Sequence, residues 1–343
     1  MNGDWWGRAE RAMDQKVKPP RSLGRIESAA IQLAALQETL EPRLDRARIL
    51  IFAADHGVSV EGVSAYPREV TAQMMSTFAT GGAAIRVIAR TLGAEVEVID
   101  VGVDADLPEL PDVVAAKVRR GSRNFLREIA LTEEEVEAAL EVGRAAARRA
   151  VEHGIDAVGL GDMGIGNTTS AAALLSALTG APPQQTVGRG TGLDDRALAA
   201  KRGVVEAALR LHGPGLQDPR RALSAVGGLE IAALAGAALE TARHRRAVIV
   251  DGFISTVGVL AAVRLSPEIR PALFFAHRSA EAGHQVALEA LDAKPLLDLE
   301  MRLGEGTGSA LALPLLRAAA AVLREMATFS QAGVSGSSDT GSA

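Results

Sequence analysis

Short apolar runs that end in glycine or a polar residue punctuate the chain. They are RILIFAADHG (48–57), EVEVIDVG (95–102), IDAVGLGD (155–162), ALSAVGG (222–228), AVIVDG (247–252) and ALFFAH (272–277). Helix-length segments rich in alanine, leucine and charge separate most of them. A strand that is apolar without alternation is covered on both faces, and strands alternating with helices form a parallel sheet between helical layers. The pattern predicts an α/β fold, a Rossmann-like, doubly wound, mostly parallel sheet. Ligands of such sheets bind beyond the carboxyl ends of the strands. Asp55, His56, Asp100, Asp162, Asp251 and His277 all fall there.

Both ends of the chain lack strand signals. SLGRIESAAIQLAALQETL (22–40) and SALALPLLRAAAAVLREMATF (309–329) read as helices. The expected organisation is a small helical subdomain from residues 1–40 plus 300–335 and a large Rossmann-like domain over 41–299. The glycine- and serine-rich tail 336–343 is expected to be disordered.

Composition narrows the function classes. Aromatics make up 3% of the chain, the formal net charge is −5, and the basic residues are scattered. A nucleic-acid surface is therefore not expected. The chain has no cysteine, which excludes disulfides, zinc ribbons and thiol nucleophiles. The six histidines are dispersed and lack metal-ligand spacing, so Asp55-His56 is not expected to bind a metal. Charges and glycines break the alanine-rich stretches before spanning length, so no membrane helix is expected. The opening MNGDWWGRAERAMDQK is too polar for a secretory signal, and a cytoplasmic location is expected.

Residues 155–175, IDAVGLGDMGIGNTTSAAALL, run from an apolar strand through a glycine-rich turn into Asn167-Thr168-Thr169 and an alanine-rich helix. Glycine lets a backbone approach a ligand closely. The first N–H groups of a helix have no partner inside it, and the helix dipole adds about half a positive charge there. This order of elements suits a nucleotide phosphate. It is neither a Walker A loop nor a dinucleotide fingerprint, because the Gly159, Gly161, Gly164, Gly166 spacing fits neither. A plain strand-to-helix connection uses similar residues. Asp162 would repel a phosphate, so it is expected to cap a turn or to face a cationic ring or an N–H of the ligand.

In MRLGEGTGSALALPLL (301–316), Gly304, Gly306 and Gly308 bracket Glu305. The dipole of a helix start accounts for an acid there, but a helix start needs only one glycine. A glycine-flanked loop gives substrate access to a carboxylate, as a general base requires. A second patch, Gly188-Arg189-Gly190-Thr191-Gly192, precedes Asp194, Asp195 and Lys201. It reads either as a loop that caps the next helix or as one whose Arg189 or Lys201 holds a phosphate. Lys201, six residues into that helix, fits a solvated position almost as well. His277-Arg278-Ser279 reads as a turn whose arginine pairs with Glu281 or another acid.

The motifs also occur in a recognisable order. Lys18-Pro19-Pro20-Arg21-Ser22-Leu23-Gly24, Ala54-Asp55-His56-Gly57-Val58 and Gly62-Val63-Ser64-Ala65-Tyr66-Pro67 come first. Gly164-Ile165-Gly166-Asn167-Thr168-Thr169-Ser170, Val187-Gly188-Arg189-Gly190-Thr191-Gly192 and Asp251-Gly252-Phe253-Ile254-Ser255 follow. Ala276-His277-Arg278-Ser279-Ala280-Glu281 and Met301-Arg302-Leu303-Gly304-Glu305-Gly306-Thr307-Gly308 complete the series. From about residue 18 to residue 335 the chain resembles the nicotinate-nucleotide–dimethylbenzimidazole phosphoribosyltransferase family of late cobalamin assembly.

The resemblance implies transfer of the ribose phosphate of nicotinate mononucleotide to a nitrogen of 5,6-dimethylbenzimidazole, with inversion at the anomeric carbon. The products are α-ribazole 5′-phosphate and nicotinate. It implies no cofactor or metal, a homodimer, and small-molecule substrates. Glu305 matches the family's proposed general base. Tyr66, Gln73 and Leu303 match its benzimidazole pocket. Gly164, Gly166, Asn167 and Thr168 match its phosphate loop, with Lys201 as a phosphate partner. Asp162 stands where the family has a glutamate that helps the base, and Ala65 where a serine can occur. Rival readings are a same-family enzyme using adenine, another benzimidazole or a phenolic acceptor, an NAD-binding oxidoreductase, and a non-catalytic nucleotide-binding regulator. The oxidoreductase needs an acid about twenty residues past a GxGxxG loop, a combination missing from this sequence.

Overall fold

A computed structural model describes residues 4–335, so the expectation for the tail 336–343 lies outside the described residues. It contains a six-stranded parallel sheet. The strands are β1 (Ala47–Ala54), β2 (Glu95–Gly102), β3 (Val113–Ala115), β4 (Ala157–Met163), β5 (Ala247–Val250) and β6 (Leu273–Phe275). Their order is β3-β2-β1-β4-β5-β6, the doubly wound order shared with dinucleotide-binding folds. The winding reverses between β1 and β4, whose carboxyl ends lie side by side, with Phe52 opposite Asp162 and Ala53 opposite Met163.

The unbroken apolar runs follow from burial on both faces. All eight residues of β1 are buried. Ile49, Ile51 and Ala53 join a core with Met75 and Phe78 of the helix Glu69–Ala79 and with Ile85 and Ala89 of the helix Ala84–Thr91. The helix Leu229–Arg243, buried along almost its whole length, packs on β1, β2, β4 and β5 and against the helix Glu133–Glu152. Full burial of one such large aliphatic or aromatic side chain is worth about 1.5–3 kcal/mol. No described helix is long and apolar enough to cross a membrane.

One expected strand is a helix. ALSAVGG (222–228) falls mostly within the helix Pro219–Val226. Asp218 caps it by accepting the Arg221 N–H at 2.8 Å, and Pro219 occupies its first position. These start signals outweigh a short apolar run that either element could use.

The chain divides into two compact units. One comprises residues up to Asp45 together with those from Leu313 onward. There the helices Trp5–Asp14 and Arg25–Gln37 pack together. Val17 N–H reaches the Ala327 carbonyl at 2.9 Å, and Lys18 forms a buried ion pair with Glu27 at 2.8 Å. The other unit, Arg46–Ala312, carries the whole sheet and every residue discussed below as part of the site.

Candidate active site

A cavity of about 340 Å³ lies beyond the carboxyl ends of β4, β5 and β6. Residues 162–165, 167 and 168 line it from the end of β4 and the loop that follows, residues 252–254 after β5, and His277, Ser279 and Glu281 after β6. Residues 302–305 line it from the segment that leads into the helix Thr307–Glu325. Tyr66 and Leu303 also line it, and more than half of each remains exposed. Two hydrogen bonds tie the loops around it together. Ala65 N–H donates to Thr191 Oγ1 at 3.0 Å, and Arg302 Nη1 donates to the Gly190 carbonyl at 3.0 Å.

The glycine loop after β4 opens the helix Asn167–Thr179. Gly166 precedes that helix with φ 96°, a left-handed conformation that glycine adopts without steric penalty. No side chain caps the helix. The Asn167 and Thr169 N–H groups donate to the Gly164 and Gly166 carbonyls at 3.1 and 3.0 Å, so the turn itself closes part of the helix start. Lys201 is only 1% exposed and donates to Thr168 Oγ1 at 2.7 Å, so the solvated alternative fails. Burial pulls its ammonium down to about 8, against the pull of the Glu281 carboxylate. A Cβ at Gly190 would stand 2.9 Å from Thr168 Oγ1 and 3.1 Å from Lys201 Nζ.

Glu305 stands on the facing loop. It is 6% exposed, and its Oε2 accepts the Ile85 N–H at 3.3 Å. Burial raises its carboxyl above the usual range. Gly304, Glu305 and Gly306 all have positive φ, at 86°, 62° and 82°. Such a run is cheap for the two glycines and strained for the glutamate between them. The sheet accommodates this loop because β4 has no side chain at 161, where a Cβ would lie 2.7 Å from the Glu305 carbonyl oxygen. Asp251, after β5, accepts the N–H groups of Gly306 at 3.1 Å and Ser309 at 3.0 Å. Burial pushes its carboxyl up to about 7, against the hydrogen bonds of Ser309, Gly308 and Gly306.

Asp162 joins the two loops. Asn167 Nδ2 donates to its Oδ2 at 3.0 Å, and Glu305 N–H donates to its backbone carbonyl at 3.2 Å. Burial raises its carboxyl well above the usual range, and Asp251, Glu230 and Glu305 add to the effect. Burial thus disfavours a negative charge on Asp162.

Not every residue singled out in the sequence meets the cavity. Gln73 is exposed on the helix Glu69–Ala79 and does not line it, whereas Val70 and Met74 of the same helix do. Gly166 shapes the loop from behind, against His56. Arg189 turns to the Leu193 carbonyl and to Asp195. Asp55 accepts the Asp104 N–H at 2.8 Å, and His56 Nε2 meets Glu230 Oε1 at 2.7 Å in full burial. Arg278 pairs with Asp298 at 3.6 Å rather than with Glu281, which is buried against the cavity. The anchoring part of Asp251 was not legible from the chain, since its partners lie 55 to 58 residues downstream.

A family model described as "Phosphoribosyltransferase" matches residues 1–334. The chain is 50% identical to the nicotinate-nucleotide–dimethylbenzimidazole phosphoribosyltransferase of Geobacter sulfurreducens, over 97% of this chain and 95% of that one. It is 54% identical to the protein of the same name from Chromobacterium violaceum, over 94% of this chain and 93% of that one. The crystal structure of CobT from Thermus thermophilus superposes with a TM-score of 0.94 at 50% identity, covering 97% of this chain and 99% of that one. The cavity between a glycine loop and a glycine-flanked acid thus belongs to a member of the phosphoribosyltransferase family.

Proposed function

We propose that the protein transfers the phosphoribosyl group of nicotinate mononucleotide to 5,6-dimethylbenzimidazole, with inversion at the anomeric carbon and Glu305 as general base. One observation carries the reading: Glu305 and the loop residues Gly164, Ile165, Asn167 and Thr168 line the same cavity. The names of the relatives supply the two substrates.

The phosphate sits at the start of the helix Asn167–Thr179, with Lys201 behind Thr168 as its cation. That anchors the sugar. A ring nitrogen of the benzimidazole forms a bond to the anomeric carbon while the bond to the nicotinate nitrogen breaks. The electron pair of the broken bond returns to the pyridine ring and neutralises its positive charge, so departure needs no strong acid. The benzimidazole N–H proton passes to the Glu305 carboxylate. Burial raises the proton affinity of Glu305, which suits it to the task. Tyr66 and Leu303 offer apolar surface for the acceptor ring, and Met74 extends it. Holding both reactants in line supplies much of the remaining acceleration.

The test is incubation with nicotinate mononucleotide and a panel of acceptors, read by mass spectrometry. The panel holds 5,6-dimethylbenzimidazole, benzimidazole, adenine and a phenol. α-Ribazole 5′-phosphate as the preferred product supports the reading. Preference for another acceptor replaces the substrate and keeps the reaction. Absence of any riboside phosphate product overturns it.

A further inference from the structure

Glu281 lines the cavity but has no part in the chemistry above. It is 8% exposed, and among the described residues its Oε2 has no hydrogen-bond partner. It stands at the turn into the helix Ala282–Ala290. Its N–H donates to Ser279 Oγ at 3.3 Å, while His284 Nδ1 accepts the Ser279 N–H at 2.7 Å. Gly188 leaves room for its carboxylate, since a Cβ there would collide with Oε2. Two residues further on, Gly190 lies against Thr168 and Lys201. The acid therefore stands beside the Gly188–Gly190 segment, within electrostatic reach of Lys201.

A carboxylate only accepts hydrogen bonds, and leaving a buried acceptor unpaired is costly. A bound phosphate offers no proton to it, and the nicotinate carboxylate offers none either. The acceptor's N–H is already assigned to Glu305. Next to the phosphate of a nucleotide comes the sugar, whose hydroxyls are donors. We propose that Glu281 accepts hydrogen bonds from the ribose hydroxyls of the bound nucleotide and so restricts the site to ribonucleotides. This rests on the proposed reaction for the identity of the nucleotide, and it adds the part of the ligand that this acid recognises.

The test is calorimetric binding of nicotinate mononucleotide and its 2′-deoxy and 3′-deoxy analogues to the wild-type protein and to Glu281→Gln and Glu281→Asp. The wild type should prefer the ribonucleotide over at least one analogue by about ten- to hundredfold, the worth of a hydrogen bond to a charged group. Glu281→Gln should lose most of that preference. A carboxylate serving only as counter-ion to Lys201 would change all three affinities by a common factor and leave the ratios intact, which overturns the proposal. So does a wild type indifferent to the hydroxyls, although that result leaves the proposed reaction standing. Failure of the wild type to bind any of the three overturns both. Failure to form product with any acceptor overturns the reaction alone, because the hydroxyl preference is read by binding. If neither variant folds, a structure of the wild type with nicotinate mononucleotide decides. A ribose hydroxyl within hydrogen-bond distance of Glu281 supports the proposal, and a ribose turned away from it overturns it.

Discussion

The Asp251 carboxylate accepts the backbone N–H of Gly306 at 3.1 Å, so the acid that follows β5 holds the residue next to Glu305. The bond crosses from the sheet to the loop and helps to fix where Glu305 stands. Asp251→Asn keeps the volume but turns an NH2 group toward one of the N–H donors. The expected outcome is at least a tenfold fall in turnover with nearly unchanged nucleotide affinity. A stability loss of about 1–3 kcal/mol should accompany it, the usual result of unpairing a buried donor. Steady-state kinetics and urea unfolding check both parts.

Glu305→Gln should leave folding and nucleotide binding intact while lowering turnover about 10²–10⁴-fold, the range a general base supplies. As the proposed base, Glu305 acts only when ionised. Its carboxyl is raised by burial, so activity should fall as pH drops through a value above the ordinary glutamate range. The variant's residual activity should lack that acid limb. A pH–rate profile of both proteins is the measurement.

Lys201→Met should weaken nicotinate mononucleotide binding about ten- to hundredfold, the loss of one hydrogen bond from a charged donor. Burial brings the free protein's ammonium down to about 8, so the wild type should bind the nucleotide less tightly as pH rises past that value. Affinity of the variant should not share this decline. Binding titrations across the range distinguish the two.

Asp162→Asn tests the raised proton affinity of this buried carboxyl. The folded state holds its proton well above the unfolded value of about 3.9. Between the two pKa values the native protein binds a proton that the unfolded chain has lost. This group's contribution to stability therefore falls as pH rises through that window. Asparagine does not titrate. The variant's stability relative to wild type should grow from about pH 5 to about pH 8. Equal differences in unfolding free energy at both ends would refute a raised pKa at this position.

Much of the fold was legible because strands buried on both faces announce themselves as unbroken apolar runs. Five of the six runs hold strands of the sheet. The sixth, 222–228, misleads because a four- or five-residue apolar stretch fits either element, and Asp218-Pro219 carries the decisive signal. β3, only Val113–Ala115, is too short to register. In the site, glycine spacing points to Glu305 and to the loop before Asn167. Lys201 is ambiguous in the sequence because helical position does not reveal which face is covered. The true surroundings of Glu281 and the anchoring by Asp251 are invisible there, because both depend on contacts between distant segments. Gln73 shows the converse, since its neighbour Met74 and not Gln73 itself faces the cavity.

The left-handed backbone at Glu305 has a cost of its own. For a residue with a side chain, that geometry carries a penalty of about 1–2 kcal/mol that glycine escapes. Glycine at 305 would relieve that penalty but would leave the buried Ile85 N–H without its carboxylate partner. The turn thus carries its strain and its carboxylate together, and any campaign that relaxes this backbone for heat resistance has to follow turnover at the same time.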